Sequence, residues 1–95
     1  MRQTQVAAVA DAIANLPEGS EHLGGGVRRY LMDGIMPGGF LAALLANDLK
    51  QAALMADKSN AANMAELGFW LNYHLPTYAI GDYPTIHEWE GYRNE

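Results

Sequence analysis

The stretch FLAALLANDLKQAALMAD, residues 40–57, decides how this chain folds. Alanine, leucine, methionine and other strong helix formers fill it, and neither glycine nor proline interrupts it. As one helix it spans about 27 Å at 1.5 Å per residue. Apolar residues occupy nearly the whole circumference of its first two turns, which predicts that protein surrounds it there, and its alanines let neighbouring helices approach closely. Immediately upstream, Ile35-Met36-Pro37-Gly38-Gly39 cannot continue a helix, because Pro37 disfavours the α conformation at Met36 and two glycines come next. The chain is expected to reverse there.

Further upstream, Val27, Tyr30 and Leu31 recur at i, i+3 and i+4 ahead of Gly34, predicting a helix of about two turns over 27–33 with a left-handed terminator. Gly24-Gly25-Gly26 reads as a loop or frayed turn, since each glycine costs about 1 kcal/mol against alanine inside a helix. Val6, Val9, Ala10, Ile13 and Leu16 form one stripe of an amphipathic helix over 4–16, closed by Pro17-Glu18-Gly19, with Ser20 placed to cap the next segment. Downstream, Ser59 or Asn60 is expected to cap a helix whose stripe is Met64, Leu67, Trp70 or Leu71, and His74, and which Pro76 ends. Thr85-Ile86-His87-Glu88 matches the capping-box pattern and predicts a short last helix carrying Trp89. No strand pattern persists for five residues and no repeat is visible. The expectation is one all-α domain over 1–95, a small bundle of four to five helices.

Composition sets the bounds on function. Ninety-five residues, 49% hydrophobic and 18% charged, suit one globular domain. A chain of this size buries only roughly 60–65% of its unfolded surface. Without cysteine it has neither a disulfide nor a thiolate metal site to support a thin core, so oligomerisation is the expected support. Six Lys and Arg against eleven Asp and Glu give a net charge of −5, which argues against duplex nucleic acid and anionic membranes as partners. No run reaches the 18 or so apolar residues of a membrane span, and Met1-Arg2-Gln3-Thr4-Gln5 lacks the apolar core of a signal peptide. The expected location is the cytoplasm.

The most informative local feature is Pro37-Gly38-Gly39-Phe40. The first turn of a helix carries unpaired N–H groups and the positive end of the dipole, and glycines there let a phosphate approach the backbone. Arg28 and Arg29 lie one short helix upstream, where the reversal can return a guanidinium to the same place as a planar donor for phosphate, with Tyr30 beside it. The alternative is a tight helix-turn-helix whose arginines are solvated or pair with Asp33 and Asp48. No Gly-Lys-Ser/Thr comes after it, so this is not a Walker loop. Asp48 shares a face with Leu44 and Leu45, and calls for a partner, either an arginine or loop amides, or else a ribose hydroxyl or base edge of a ligand.

His22, His74 and His87 are scattered, with only His87 and Glu90 at helical spacing, so no metal site is expected. Ser20 and Ser59 are the only serines and read as caps, and Glu88 and Glu90 point to different sides of a helix. The chain is expected to be neither an enzyme nor a cofactor carrier. Aromatics gather in the last third. Phe69, Trp70 and Tyr73 favour a core or interface, whereas Tyr78, Tyr83 and Trp89 suit either a packed tail or base stacking, which is worth about 1–3 kcal/mol per base.

Arg29-Tyr30, Gly34, Pro37-Gly38, Phe40-Leu41, Asn47-Asp48-Leu49, Ala56-Asp57 and Asn60, with Pro76, Gly81 and Trp89 downstream, resemble a family of small phage-encoded helical proteins. The resemblance covers roughly residues 28–89. Most members of that family carry no assigned activity. The family is in turn similar to the phage sponge proteins that bind cyclic nucleotide immune signals and counteract CBASS-type defence. That similarity implies a small, non-catalytic homo-oligomer holding a cyclic dinucleotide, such as cGAMP, between subunits. It implies Arg28 or Arg29 and the N–H groups of Gly38, Gly39 and Phe40 at phosphate, and Tyr30 and Trp89 at the bases. The acidic balance departs from a phosphate binder, although two phosphates need only a local positive site. Two other readings stay open: an anti-CRISPR-like inhibitor that binds a host protein, and a structural or regulatory phage protein.

Overall fold

The computed structural model describes residues 3–94, and among them every regular element is helical. Seven α-helices run in order: α1 Gln3–Ala14, α2 Gly24–Asp33, α3 Gly39–Leu45, α4 Leu49–Met55, α5 Lys58–Ala62, α6 Met64–His74 and α7 Tyr83–Glu88. Single 3-10 turns occupy Glu21–Leu23, Thr77–Ala79 and Tyr92–Asn94. The all-α expectation holds, with more and shorter helices than the four to five read from the sequence.

The largest difference lies in the stretch that fixed the fold class. Residues 40–57 are not one helix. Their first part is buried as expected, with Phe40, Leu41, Ala43, Leu44 and Leu45 all in the core. The helix then stops in a Schellman arrangement, with Asn47 left-handed at φ 60°, its N–H on the Leu44 carbonyl at 3.1 Å and the Asp48 N–H on the Ala43 carbonyl at 2.9 Å. Asp48 at once caps the next helix by accepting the Gln51 N–H at 3.2 Å. Asparagine tolerates the left-handed region and aspartate is a strong N-cap, so Asn47-Asp48 is a corner. Asp57 repeats the device at α5, accepting the Asn60 N–H at 2.8 Å, so Ser59 and Asn60 are not the caps expected. Asn63 precedes α6, and its side-chain amide instead donates to the Glu18 carbonyl and the Ser20 hydroxyl.

The glycine triplet is likewise not a loop, because α2 begins on it. A Cβ on Gly24 would press on Ile13 at 3.3 Å, and one on Gly26 on Leu41 at 3.2 Å. Close packing against α1 and α3 therefore outweighs the poor helix propensity of three glycines. On α1 the buried residues are Val9 and Ala12, with Leu16 just beyond the helix, while Val6 and Ala10 face outward. The last helix starts earlier than Thr85: Asp82 is its cap and accepts the Thr85 N–H at 2.9 Å, and Trp89 comes after the helix rather than riding on it.

Long-range hydrogen bonds from the buried Trp70 and Tyr30 and the half-buried Trp89 join the halves. The Trp70 indole donates to the Ala12 carbonyl at 2.7 Å, fixing α6 on α1. The Tyr30 hydroxyl donates to the Ala79 carbonyl, and the Trp89 indole to the Tyr30 carbonyl at 2.8 Å. Gly34 (φ 68°) and Gly91 (φ 94°) let the tail lie backbone-to-backbone on the end of α2, where a Cβ on Gly91 would sit 2.5 Å from the Met32 carbonyl oxygen. Gly91→Ala should therefore cost more than about 1 kcal/mol and lower Tm by at least about 4–8 °C in a thermal melt.

Asp48 also accepts the Tyr83 hydroxyl at 2.6 Å, and that bond, then the one from the Gln51 amide, holds its carboxyl below the ordinary value. Asp48 in turn raises the Tyr83 hydroxyl above the usual tyrosine value. A depressed carboxyl contributes stability that is complete above about pH 4 and is lost as pH falls through its folded value; a raised phenol loses its contribution as pH climbs through its own. Tyr83→Phe should lower Tm at neutral pH, and the gap from the parent protein should close below about pH 4, with the Asp48 carboxyl titrating higher by NMR.

Candidate functional site

Four of the seven residues read as a ligand site come together. Arg29 on α2 and Gly38, Gly39 and Phe40 at the reversal and the start of α3 line one cleft of about 500 Å³. The reversal brings them together, because Pro37 and the left-handed Gly34 turn the chain so that α3 begins beside α2. The Arg29 guanidinium is exposed and folds back along its own helix, 3.3 Å from where a Cβ on Gly25 would stand, so the missing side chain at 25 makes room for it. Neither arginine makes an ion pair among the described residues. Asp33 is 3.4 Å from Arg93 instead, and Asp48 is held by Tyr83 and Gln51. Arg29 is thus left with its donors uncommitted.

At the start of α3, Gly38 is the N-cap and no side chain caps the helix. Gly38 faces open space, whereas a Cβ on Gly39 would overlap the end of the Met55 side chain. The Met55 thioether therefore lies over Gly39 as a soft cover that can swing away. Phe40 contributes mainly its backbone, since its ring belongs to the core.

Arg28, Tyr30 and Trp89 are elsewhere. One residue of helix turns Arg28 about 100° away from Arg29, and it is exposed outside the cleft. Tyr30 is 1% exposed, and burial pushes its hydroxyl well above the ordinary tyrosine value. It is a core residue and offers no face to a ligand. Trp89 packs edge-on against Tyr92 at 5.3 Å and tilted on Tyr78 at 5.5 Å, docking the tail. Burial takes Tyr30 out of reach of a ligand, whereas Trp89 is half-buried and, with Tyr78, lines a separate cavity of about 500 Å³ outside the cleft.

Sequence reasoning missed the opposite wall. His22, Asp57 and Asn60 line it, with Met36 and Met55 as apolar cover. His22 lies 3.8 Å from Asp57 at the surface. The Asn60 amide, then the Ser59 hydroxyl and nearby His22, hold the Asp57 carboxyl below its usual value. From the sequence Asn60 is a candidate helix cap, and Asp57 and Asn60 are among the residues that carry the resemblance; neither signal places them beside Arg29. A second cavity of about 480 Å³ lies between the Asn47-Asp48 corner and α6. The one charged residue in its lining, Asp48, is a carboxylate that its hydrogen bonds keep ionised, so this cavity does not suit an anion.

Comparison with protein-family models, curated proteins and solved structures gives no match for this chain. Among the described residues no three acidic or histidine side chains are grouped to share a metal ion, and no helix is long and apolar enough to cross a membrane.

Proposed function

We propose that this protein binds and sequesters a cyclic nucleotide second messenger, a cyclic dinucleotide, without cleaving it. In this reading it is a phage immune-evasion protein that acts in the cytoplasm of an infected bacterium and antagonises CBASS-type defence. The observation that carries the reading is the meeting of an unpaired Arg29 with the uncapped Gly38-Gly39-Phe40 backbone in one cleft. Guanidinium and backbone N–H groups are complementary to a phosphodiester. Exposed Met36 and Met55 supply polarizable apolar surface for a base, in the role first read for Tyr30 and Trp89.

Each chain brings one such arginine, and a cyclic dinucleotide carries two phosphates. A two-fold pair of clefts would present Arg29 to each phosphate, and exposed Ile35 and Met36 give a second copy apolar surface to cover. The net charge of −5 then repels polyanions at large while leaving this local site.

A second reading, an inhibitor that binds a host protein, is favoured by one feature. Phe69 and Tyr73 on α6 are 66% and 74% exposed and stack at 6.4 Å, an aromatic patch of the kind that anchors interfaces.

A thermal-shift panel of cyclic mono- and dinucleotides separates the two. Sequestration predicts a rise of several degrees with at least one cyclic dinucleotide. Arg29→Ala should weaken its binding by about 10–100-fold with the unliganded Tm unchanged, and Arg28→Ala should leave binding as it was. A flat response across the panel refutes sequestration and favours the inhibitor.

A further inference from the structure

Helix α6 buries Leu67 and Trp70, yet it carries two large aromatics on a face that the chain leaves to solvent. Glu66, Phe69 and Tyr73 stand at i, i+3 and i+7 and share that face. Phe69 borders two cavities of about 480 Å³ each, the one at the Asn47-Asp48 corner and another beside the turn after α1. This second cavity shares no residue with the Arg29 cleft, and its walls are aromatic and acidic. Phe69, Trp70 and Tyr73 supply the rings, and Glu18 and Glu66 the charge. Glu18 is held beside α6 because its carbonyl accepts the side-chain amide of Asn63 at 2.8 Å.

Those two carboxylates have no cation of their own. No lysine or arginine lines either cavity, and among the described residues Glu18 and Glu66 form no ion pair. His74, the histidine of the second cavity, is engaged by Asp11 at 3.2 Å. Charge therefore selects among the occupants that an apolar face could take. A second copy seated here by a two-fold axis would set one acidic patch against another, and an anionic lipid surface would meet the same repulsion. A basic segment answers the rings and the carboxylates together. An arginine guanidinium can lie on an aromatic face and donate in its own plane to a carboxylate, whereas a lysine ammonium is a compact, more strongly hydrated charge.

We propose that the Phe69–Tyr73 face of α6, flanked by Glu18 and Glu66, docks an arginine-bearing basic segment of a partner protein, an inference that rests on the protein-binding reading of this patch and is independent of nucleotide binding at Arg29.

The test is a chemical-shift titration of the full chain with the peptide acetyl-Gly-Arg-Leu-Arg-Gly-amide and with the same peptide carrying neutral citrulline in place of both arginines. The arginine peptide should bind about 3–10-fold more tightly, with the largest changes at Glu18, Glu66, Phe69 and Tyr73. Phe69→Ser with Tyr73→Ser should abolish that binding, and Glu18→Gln with Glu66→Gln should make the protein bind the two peptides alike. All four side chains are exposed, so both double variants should keep Tm within a few degrees of the parent's. Equal affinity of the parent for both peptides, centred on these residues, overturns the preference for a basic partner and leaves the patch standing as a docking surface. A preference for arginine that survives Glu18→Gln with Glu66→Gln overturns it too. Changes spread over the acidic exterior, or binding of neither peptide, overturn the docking surface as well.

Discussion

Tyr30 is the residue through which the two ends of this chain are held together. Its hydroxyl reaches the carbonyl of Ala79, and its own carbonyl accepts the N–H of Gly34 at 2.9 Å and the indole of Trp89. One residue of α2 thereby anchors the turn before α7 and the segment after it, contacts separated by 49 and 59 residues in sequence. In a chain with no cysteine and a thin core, such fully satisfied buried groups are what make the packing specific. The clamp also orients the site. With the end of α2 pinned on one face, Arg29 on the adjoining face is fixed relative to the reversal at Pro37-Gly38.

Much of the architecture was legible, for reasons that differ by element. The buried face of α6, the terminator Gly34 and the enclosed first turns of α3 come from apolar spacing and backbone sterics, which are local. The corner at Asn47-Asp48 was missed because leucines and alanines on both sides carry the helical pattern straight through it. The signal was present, a left-handed-tolerant residue ahead of a strong N-cap, but it competes with seven good helix formers on its C-terminal side. The glycine triplet failed for the opposite reason: its propensity is poor, and only contacts with Ile13 and Leu41, invisible locally, reward a helix there.

The site divides in the same way. Arg29 with Gly38, Gly39 and Phe40 was readable, because a reversal between two helices returns the chain to its own neighbourhood. Arg28 was indistinguishable from Arg29 until the helical phase was fixed. Tyr30 and Trp89 were legible as aromatics with a polar handle, and such residues serve a core as readily as a ligand; the partners at Ala79 and Tyr30 decide it. Asn60 and Asp57 come from another helix, and nothing in local spacing places them opposite Arg29.

The cleft holds one carboxylate, Asp57, kept ionised by its bonds from the Asn60 amide and the Ser59 hydroxyl, and one guanidinium, Arg29, so an anion finds its favourable contact on the Arg29 side. The most direct measurement is an amide and indole chemical-shift titration of the labelled protein with each cyclic dinucleotide of the thermal-shift panel. Nucleotide binding in this cleft predicts the largest changes at Arg29, Gly38, Gly39, Phe40 and Asn60, with the Trp89 indole and Arg28 nearly still. Changes centred on Trp89 and Tyr78, or on Phe69 and Tyr73, or none at saturating ligand, would contradict it.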